Sequence, residues 1–87
     1  MTKIYIYCLF DRFDQFLGVY SSLKSVHRDA IRLCNSGASK VCIRTEGGVT
    51  DASLVNLRNL FKGKCDYEVS YMSDTQGVKV LKTKLTE

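Results

Sequence analysis

The 87-residue chain contains no proline, no tryptophan and only one histidine, His27. None of its apolar stretches approaches the roughly 18 residues that a membrane-spanning helix needs. The N-terminal apolar run is too short for a secretory signal peptide, starts almost at once and contains three polar-tipped residues, and no small-residue cleavage site follows it. We therefore expect a cytoplasmic protein that does not insert into a membrane.

The four cysteines lack the spacing of a metal site. No two of them form a CxxC pair, which is the close spacing on which structural zinc sites usually draw. Disulfides are rare in a reducing cytoplasm. The sequence therefore predicts that the protein binds neither a metal nor another cofactor. It also predicts four reduced thiols within strands and helices, namely those of Cys8, Cys34, Cys42 and Cys65.

Recognisable catalytic motifs are also missing. His27 and Cys34 lie about 10 Å apart along a predicted helix, whereas a catalytic pair needs hydrogen-bond reach. Asp11 and Asp14 lack the further oxygen ligands of an EF-hand loop, and residues 46–48 lack the lysine and hydroxyl of a phosphate-binding loop. The chain is therefore predicted not to be an enzyme, with His27 as a partly buried packing residue.

What remains is an ordinary globular composition, with 45% hydrophobic and 25% charged residues. At this length residues 1–87 form a single domain. Alternating apolar residues predict strands at Lys3–Phe10, Phe16–Tyr20, Lys40–Thr45, Cys65–Met72 and Val78–Leu85.

Two segments instead have the helical period: Leu23–Cys34, with Ser21 or Ser22 as N-cap and Gly37 near its C-cap, and a segment from Thr50 or Asp51 to Lys62. The expected fold is α+β, in the order ββαβαββ. Its sheet is mostly antiparallel, and both amphipathic helices cover one face.

Three phenylalanines surround the predicted turn in the stretch "FDRFDQF", residues 10–16. Phe10 and Phe16 end opposing strands, where they are expected to form a cross-strand pair within the core. Phe13 lies at the tip among polar residues and is expected to be partly exposed. It is therefore a candidate contact for a binding partner.

The net charge of +4 includes a basic stripe on the first helix. Lys24, Arg28 and Arg32 follow one another at intervals of four residues, and Lys40 and Arg44 follow on the next strand. Such a patch can bind nucleic-acid phosphates or an acidic protein. The alternative is a solvated helix face, since three basic residues on one helix are common. No RNA-recognition, KH or zinc-finger signature accompanies it.

Tyr5 and Tyr7 are further candidates for partner binding. Tyrosine is enriched at protein interfaces because its ring is apolar and its hydroxyl tolerates water. If both side chains project from the sheet face opposite the helices, that face is aromatic and accessible. The alternative is that they only stabilise the sheet.

The run "IYIYCLFDRFDQFLGVYSSLKSVHRDAIRLCNSG" resembles the start of small uncharacterised accessory proteins of tailed, T4-like bacteriophages. The resemblance covers about the first 40 residues and carries no catalytic signature. It implies a small protein that binds a host or defence factor in the host cytoplasm and modulates or inhibits it. The alternative is a nucleic-acid-binding module that uses the basic patch, and a homodimer is compatible with either function.

Overall fold

The computed structural model describes residues 4–35, 40–74 and 76–85, and it contains six strands and two helices. The α+β class is confirmed, and the predicted order is confirmed with the addition of one short strand before the second helix. Lys3 and Gly37, which were assigned to the first strand and a helix cap, lie outside the described residues. The elements are β1 (Ile4–Asp11), β2 (Phe16–Tyr20), α1 (Leu23–Cys34), β3 (Cys42–Thr45), β4 (Gly48–Asp51), α2 (Leu54–Phe61), β5 (Tyr67–Met72) and β6 (Gly77–Leu85).

All six strands belong to one sheet with the order β2-β1-β6-β5-β3-β4, and every neighbouring pair is antiparallel. The order is symmetric about the central β5–β6 pair. On each side a hairpin contributes one inner strand and one edge strand, and a helix follows the hairpin along the chain. The fold is thus built from two ββα units, although the sequence shows no convincing repeat.

The register places the core on one face of the sheet. Leu9 lies opposite Val80, which in turn lies opposite Val69, and all three are buried. Both helices pack on this face and complete a single cluster of buried residues. The helical members of that cluster are Val26, Ala30 and Cys34 from α1 and Leu57 and Phe61 from α2.

Helix α1 begins and ends at residues whose polar groups satisfy its free backbone groups. The Ser22 hydroxyl accepts a hydrogen bond from the Ser25 N–H at 3.2 Å, which confirms one of the two predicted caps. At the other end, the Asn35 N–H donates to the Ile31 carbonyl at 2.8 Å. In the described part of the chain, no helix is long and apolar enough to cross a membrane.

The cap of α2 differs from the prediction. Ser53 is the N-cap and accepts a hydrogen bond from the Asn56 N–H, whereas Thr50 and Asp51 belong to β4. A two-residue turn joins β3 to β4, and Gly48 follows it with a φ of 128° that favours glycine. The Asn56 side chain donates to the Thr50 hydroxyl and so connects α2 to β4.

The β1–β2 turn is organised by Asp11. Its carboxylate accepts hydrogen bonds from the Phe13 N–H at 2.8 Å and the Gln15 N–H at 2.9 Å, as aspartate does in turns of this kind. Phe10 and Phe16 form the predicted cross-strand pair, with ring centroids 5.7 Å apart and an edge-to-face arrangement. Phe16 is nevertheless 56% exposed, so the expectation that it belongs to the core is wrong.

The pair lies outside the core because Phe10 alternates with the buried Leu9 and therefore projects from the opposite face of the sheet. We call this face, which the helices do not cover, the open face. Phe13 is 75% exposed at the turn, as expected.

A buried phenylalanine and an exposed one should respond differently to substitution by alanine. Phe61→Ala should lower the free energy of unfolding by about 3–5 kcal/mol, because this ring is 2% exposed. Phe16→Ala should cost only about 1 kcal/mol, which is the usual magnitude for an aromatic pair. Urea unfolding monitored by circular dichroism measures both changes in the free energy of unfolding. Equal losses of stability in the two variants would contradict the assignment of Phe16 to the surface.

Candidate interaction surfaces

Helix α1 presents the predicted basic stripe to solvent, but one carboxylate partly neutralises it. Arg28 and Arg32 each approach Asp29 at 3.6 Å, and both side chains are largely exposed. The Tyr20 hydroxyl donates to Asp29 at 2.6 Å. This hydrogen bond holds the pKa of Asp29 below its usual value, and the two arginines lower it further. Asp29 therefore stays ionised within the stripe.

The five residues of the predicted basic patch do not form one surface. Lys24, Arg28 and Arg32 lie on α1, on the helix side of the sheet. Lys40 precedes β3 and pairs with Asp51 at 3.1 Å. Arg44 alternates with the buried Ile43 and projects from the open face. The patch expected from the sequence is therefore not formed, because Arg44 projects from the sheet face opposite α1.

A groove of about 600 Å³ surrounds Arg44 on the open face. Its other charged residues are acidic, so the groove does not extend the basic surface of α1. The lining includes Arg44, Glu46, Asp66, Glu68, Ser70 and Met72.

A second groove, of about 560 Å³, lies between α1 and the start of α2. Ile31 and Leu54 contribute apolar side chains, while Lys24 and Arg28 contribute charge. His27 also lines this groove. The basic stripe is therefore next to an apolar depression rather than on a uniformly polar surface.

His27 is linked to the buried residue Tyr71. The distance from His27 Nδ1 to the Tyr71 hydroxyl is 2.6 Å, and the two rings lie 5.7 Å apart. Burial lowers the pKa of His27, and burial also raises the pKa of Tyr71. Burial thus favours the neutral imidazole of His27 in the folded protein. Its hydrogen-bond partner is the Tyr71 hydroxyl and not a cysteine thiol.

The cysteines are free but not equally placed. Cys34 is buried, and Cys8 and Cys42 are half-buried on strands of the sheet. Cys65 was predicted to begin the fifth strand, yet it is exposed and precedes Tyr67, where β5 begins. Among the described residues, no group of three or more His, Cys, Asp or Glu side chains is arranged to hold a metal ion.

Tyr5 and Tyr7 project towards the helices rather than away from them. The Tyr7 ring packs against Phe61 of α2 with centroids 6.0 Å apart, and burial raises the pKa of its hydroxyl. Tyr5 shares this side with Lys82, whose ammonium group lies 4.5 Å from the Tyr5 ring centroid. The idea of an accessible tyrosine face opposite the helices is therefore wrong.

The same register creates a group of residues that the sequence did not indicate. Lys84 lies opposite Tyr5, and Lys82 lies between Tyr7 and Tyr67 on the neighbouring strands. Lys64 joins them, because its ammonium group lies over the Tyr67 ring, and Lys62 directly follows the end of α2 at Phe61. We define the lysine–tyrosine cluster as Tyr5, Lys62, Lys64, Tyr67, Lys82 and Lys84. The alternation of Lys82 and Lys84 was visible in the sequence, but their tyrosine neighbours depend on strand pairing.

Exposed apolar residues are concentrated on the first hairpin. Eight large hydrophobic side chains of the described residues are exposed, and five of them belong to this hairpin. Val19 lies opposite Cys8 and, like Phe16, projects from the open face. We define the hairpin surface as Phe13, Phe16, Leu17 and Val19, which lie at the turn and on β2. The fifth residue, Ile4, lies at the other end of β1, beyond the residues that pair with β2.

The burial of His27 predicts a pH-dependent stability. A lowered folded-state pKa means that the unfolded chain binds the proton more readily, so the free energy of unfolding should fall as the pH drops below 6.5, the ordinary value. Urea unfolding at several pH values measures this slope. His27→Gln should flatten it in this range, and an unchanged slope would contradict the assignment to His27.

Comparison with protein-family models, with curated proteins and with solved structures finds no match to this chain. The surfaces described above are therefore interpreted from their own geometry and chemistry.

Proposed function

We propose that the protein is a non-enzymatic binding module that recognises a protein partner through the hairpin surface. The observation that carries this proposal is the concentration of exposed apolar side chains on one hairpin, where Phe13 and Phe16 are 75% and 56% exposed. Several exposed apolar side chains on one element of a small protein often mark an interaction site. Aromatic side chains at such sites often contribute most of the binding energy.

The edge of the sheet favours a particular mode of binding. Strand β2 is an edge strand of the described sheet, so one row of its backbone N–H and C=O groups has no partner strand among residues 4–35, 40–74 and 76–85. Its sequence FLGVY has neither charge nor proline, which are common devices that prevent edge pairing. The opposite edge, β4, has only four residues and includes the charged Asp51. We infer that the partner adds an extended segment beside β2 and packs apolar side chains against the hairpin surface.

The kind of partner follows from the resemblance of the first 40 residues to accessory proteins of T4-like bacteriophages. By that resemblance, the partner is a host or defence protein whose activity the chain modulates or inhibits. A second copy of this chain is the alternative occupant of β2.

The test compares two pairs of substitutions at similarly exposed apolar positions. Phe16→Ser with Val19→Ser should weaken partner binding about 30-fold or more, the equivalent of about 2 kcal/mol for hot-spot residues. Val49→Ser with Val55→Ser is the matched control, since these residues are 65% and 64% exposed but lie outside the hairpin. The control should bind as the parent chain does.

Affinity purification from the host with each variant, followed by titration of the purified partner, provides the measurement. Equal binding by all variants would contradict the proposal. A dimer in light scattering that the hairpin substitutions dissociate would assign β2 to self-association instead.

A further inference from the structure

The lysine–tyrosine cluster differs from the basic stripe of α1 in its charge balance. Within the described residues, none of its four lysines forms an ion pair with a carboxylate, whereas Arg28 and Arg32 both lie beside Asp29. Two carboxylates, Asp66 and Glu68, adjoin the cluster residue Tyr67 along the chain. The Asp66 side chain accepts a hydrogen bond from Thr83, which alternates with Lys82 and Lys84 and therefore belongs to the open face. Glu68 alternates with the buried Val69 and also projects from the open face.

Aromatic rings and a helix end position two of these lysines. The Lys82 ammonium group donates to the Phe61 carbonyl at 2.9 Å, near the C-terminus of α2, where a cation is favoured. It also lies over the Tyr5 ring. The Lys64 ammonium group lies 4.1 Å from the centre of the Tyr67 ring, and that ring meets Phe61 edge to face. Two positive charges are therefore held beside two half-buried tyrosines.

This combination suits a ligand that offers both negative charge and flat rings. A row of lysines alone would attract any polyanion, including duplex nucleic acid or an acidic peptide. Tyrosines beside the lysines add surfaces on which unpaired bases can stack. A phosphate that draws Lys64 or Lys82 away from its ring would uncover that ring for a base.

We propose that the lysine–tyrosine cluster is a binding site for single-stranded nucleic acid, a function separate from protein binding by the hairpin surface. The four lysines contact phosphates, and Tyr5 and Tyr67 contact bases. With three or four phosphates neutralised, the logarithm of the association constant should fall with the logarithm of salt concentration with a slope of about −2 to −3.

The binding experiment uses fluorescence anisotropy with labelled single-stranded DNA and RNA of about 12 nucleotides, a typical site size for one small domain. A duplex of the same length and a polyglutamate chain serve as competitors. We expect either single strand to bind at least about tenfold more tightly than the duplex, because only unpaired bases can stack on the tyrosines. Absence of binding at low salt would overturn the proposal, and so would equal competition by duplex or polyglutamate.

Substitutions locate the site on the molecule. Lys64→Glu with Lys84→Glu should weaken binding at least about tenfold, because both exposed lysines are then replaced by repulsive charges. Lys24→Glu with Arg28→Glu makes the same charge change beside the N-terminal end of α2, away from the cluster. This control should change the affinity by less than about threefold at physiological salt, where charges are screened over about 8 Å. Equal losses in both variants would assign binding to overall charge and overturn the proposal.

The role of the tyrosine rings is tested by two substitutions, one that keeps the aromatic ring and one that removes it. Tyr67→Phe keeps the ring and should bind nearly as the parent chain does, whereas Tyr67→Leu should weaken single-strand binding several-fold. Thermal melting of each variant verifies that the fold is intact. If Tyr67→Leu is unstable, Tyr5→Leu provides the same comparison. A folded leucine variant with unchanged affinity would contradict the role of the rings.

Discussion

The burial of Tyr71 near the centre of the sheet constrains much of the remaining structure. An unpaired buried hydroxyl would cost about 1–3 kcal/mol, so this ring can occupy the core only with a hydrogen-bond partner. His27 supplies that partner and thereby fixes α1 relative to β5. Val78 and Ile43 flank Tyr71 on the neighbouring strands and are also buried. This hydrogen bond adds a polar link between α1 and the middle of the sheet to the apolar contacts of Val26, Ala30 and Cys34.

The position of the helices then determines which surfaces stay uncovered. A 12-residue helix and an 8-residue helix share one face of a six-stranded sheet, and no element in the described ranges lies across the other face. Apolar side chains of β1 and β2 on that face are consequently left partly exposed. At the other end, α2 stops at Phe61, so Tyr5 and Tyr67 are only half covered. Both proposed sites therefore lie where the two helices leave side chains of the sheet uncovered or only partly covered.

Patterns within single segments predicted much of the fold. The β-rich run at residues 16–20, which follows a polar turn, and the helical period of residues 23–34 predicted the bounds that the structure has. Strand β4 was missed because it has only four residues, begins with glycine and ends with aspartate, both of which are unusual in strands.

The candidate sites were harder to predict because they depend on pairing between distant segments. Both faces of β1 are apolar or aromatic, so its alternation could not reveal which face meets the helices. This ambiguity misplaced Tyr5 and Tyr7 and assigned Phe16 to the core. The lysine–tyrosine cluster likewise exists only because β6 pairs with β1 and β5. A period of two defines two faces, but the neighbouring strands and the helices decide what each face contacts.

The distribution of charge separates the two proposed sites. The helices, the loop at residues 62–64 and the helix-facing end of β6 carry eight cationic side chains but only one carboxylate, Asp29. The other seven described carboxylates lie in turns or on the open face. This distribution of charge supports the proposal that nucleic acid binds on the helix side rather than on the open face. Because Tyr5 and Phe16 also lie near opposite ends of β1, which spans about 23 Å, a protein at the hairpin surface would leave the lysine–tyrosine cluster accessible.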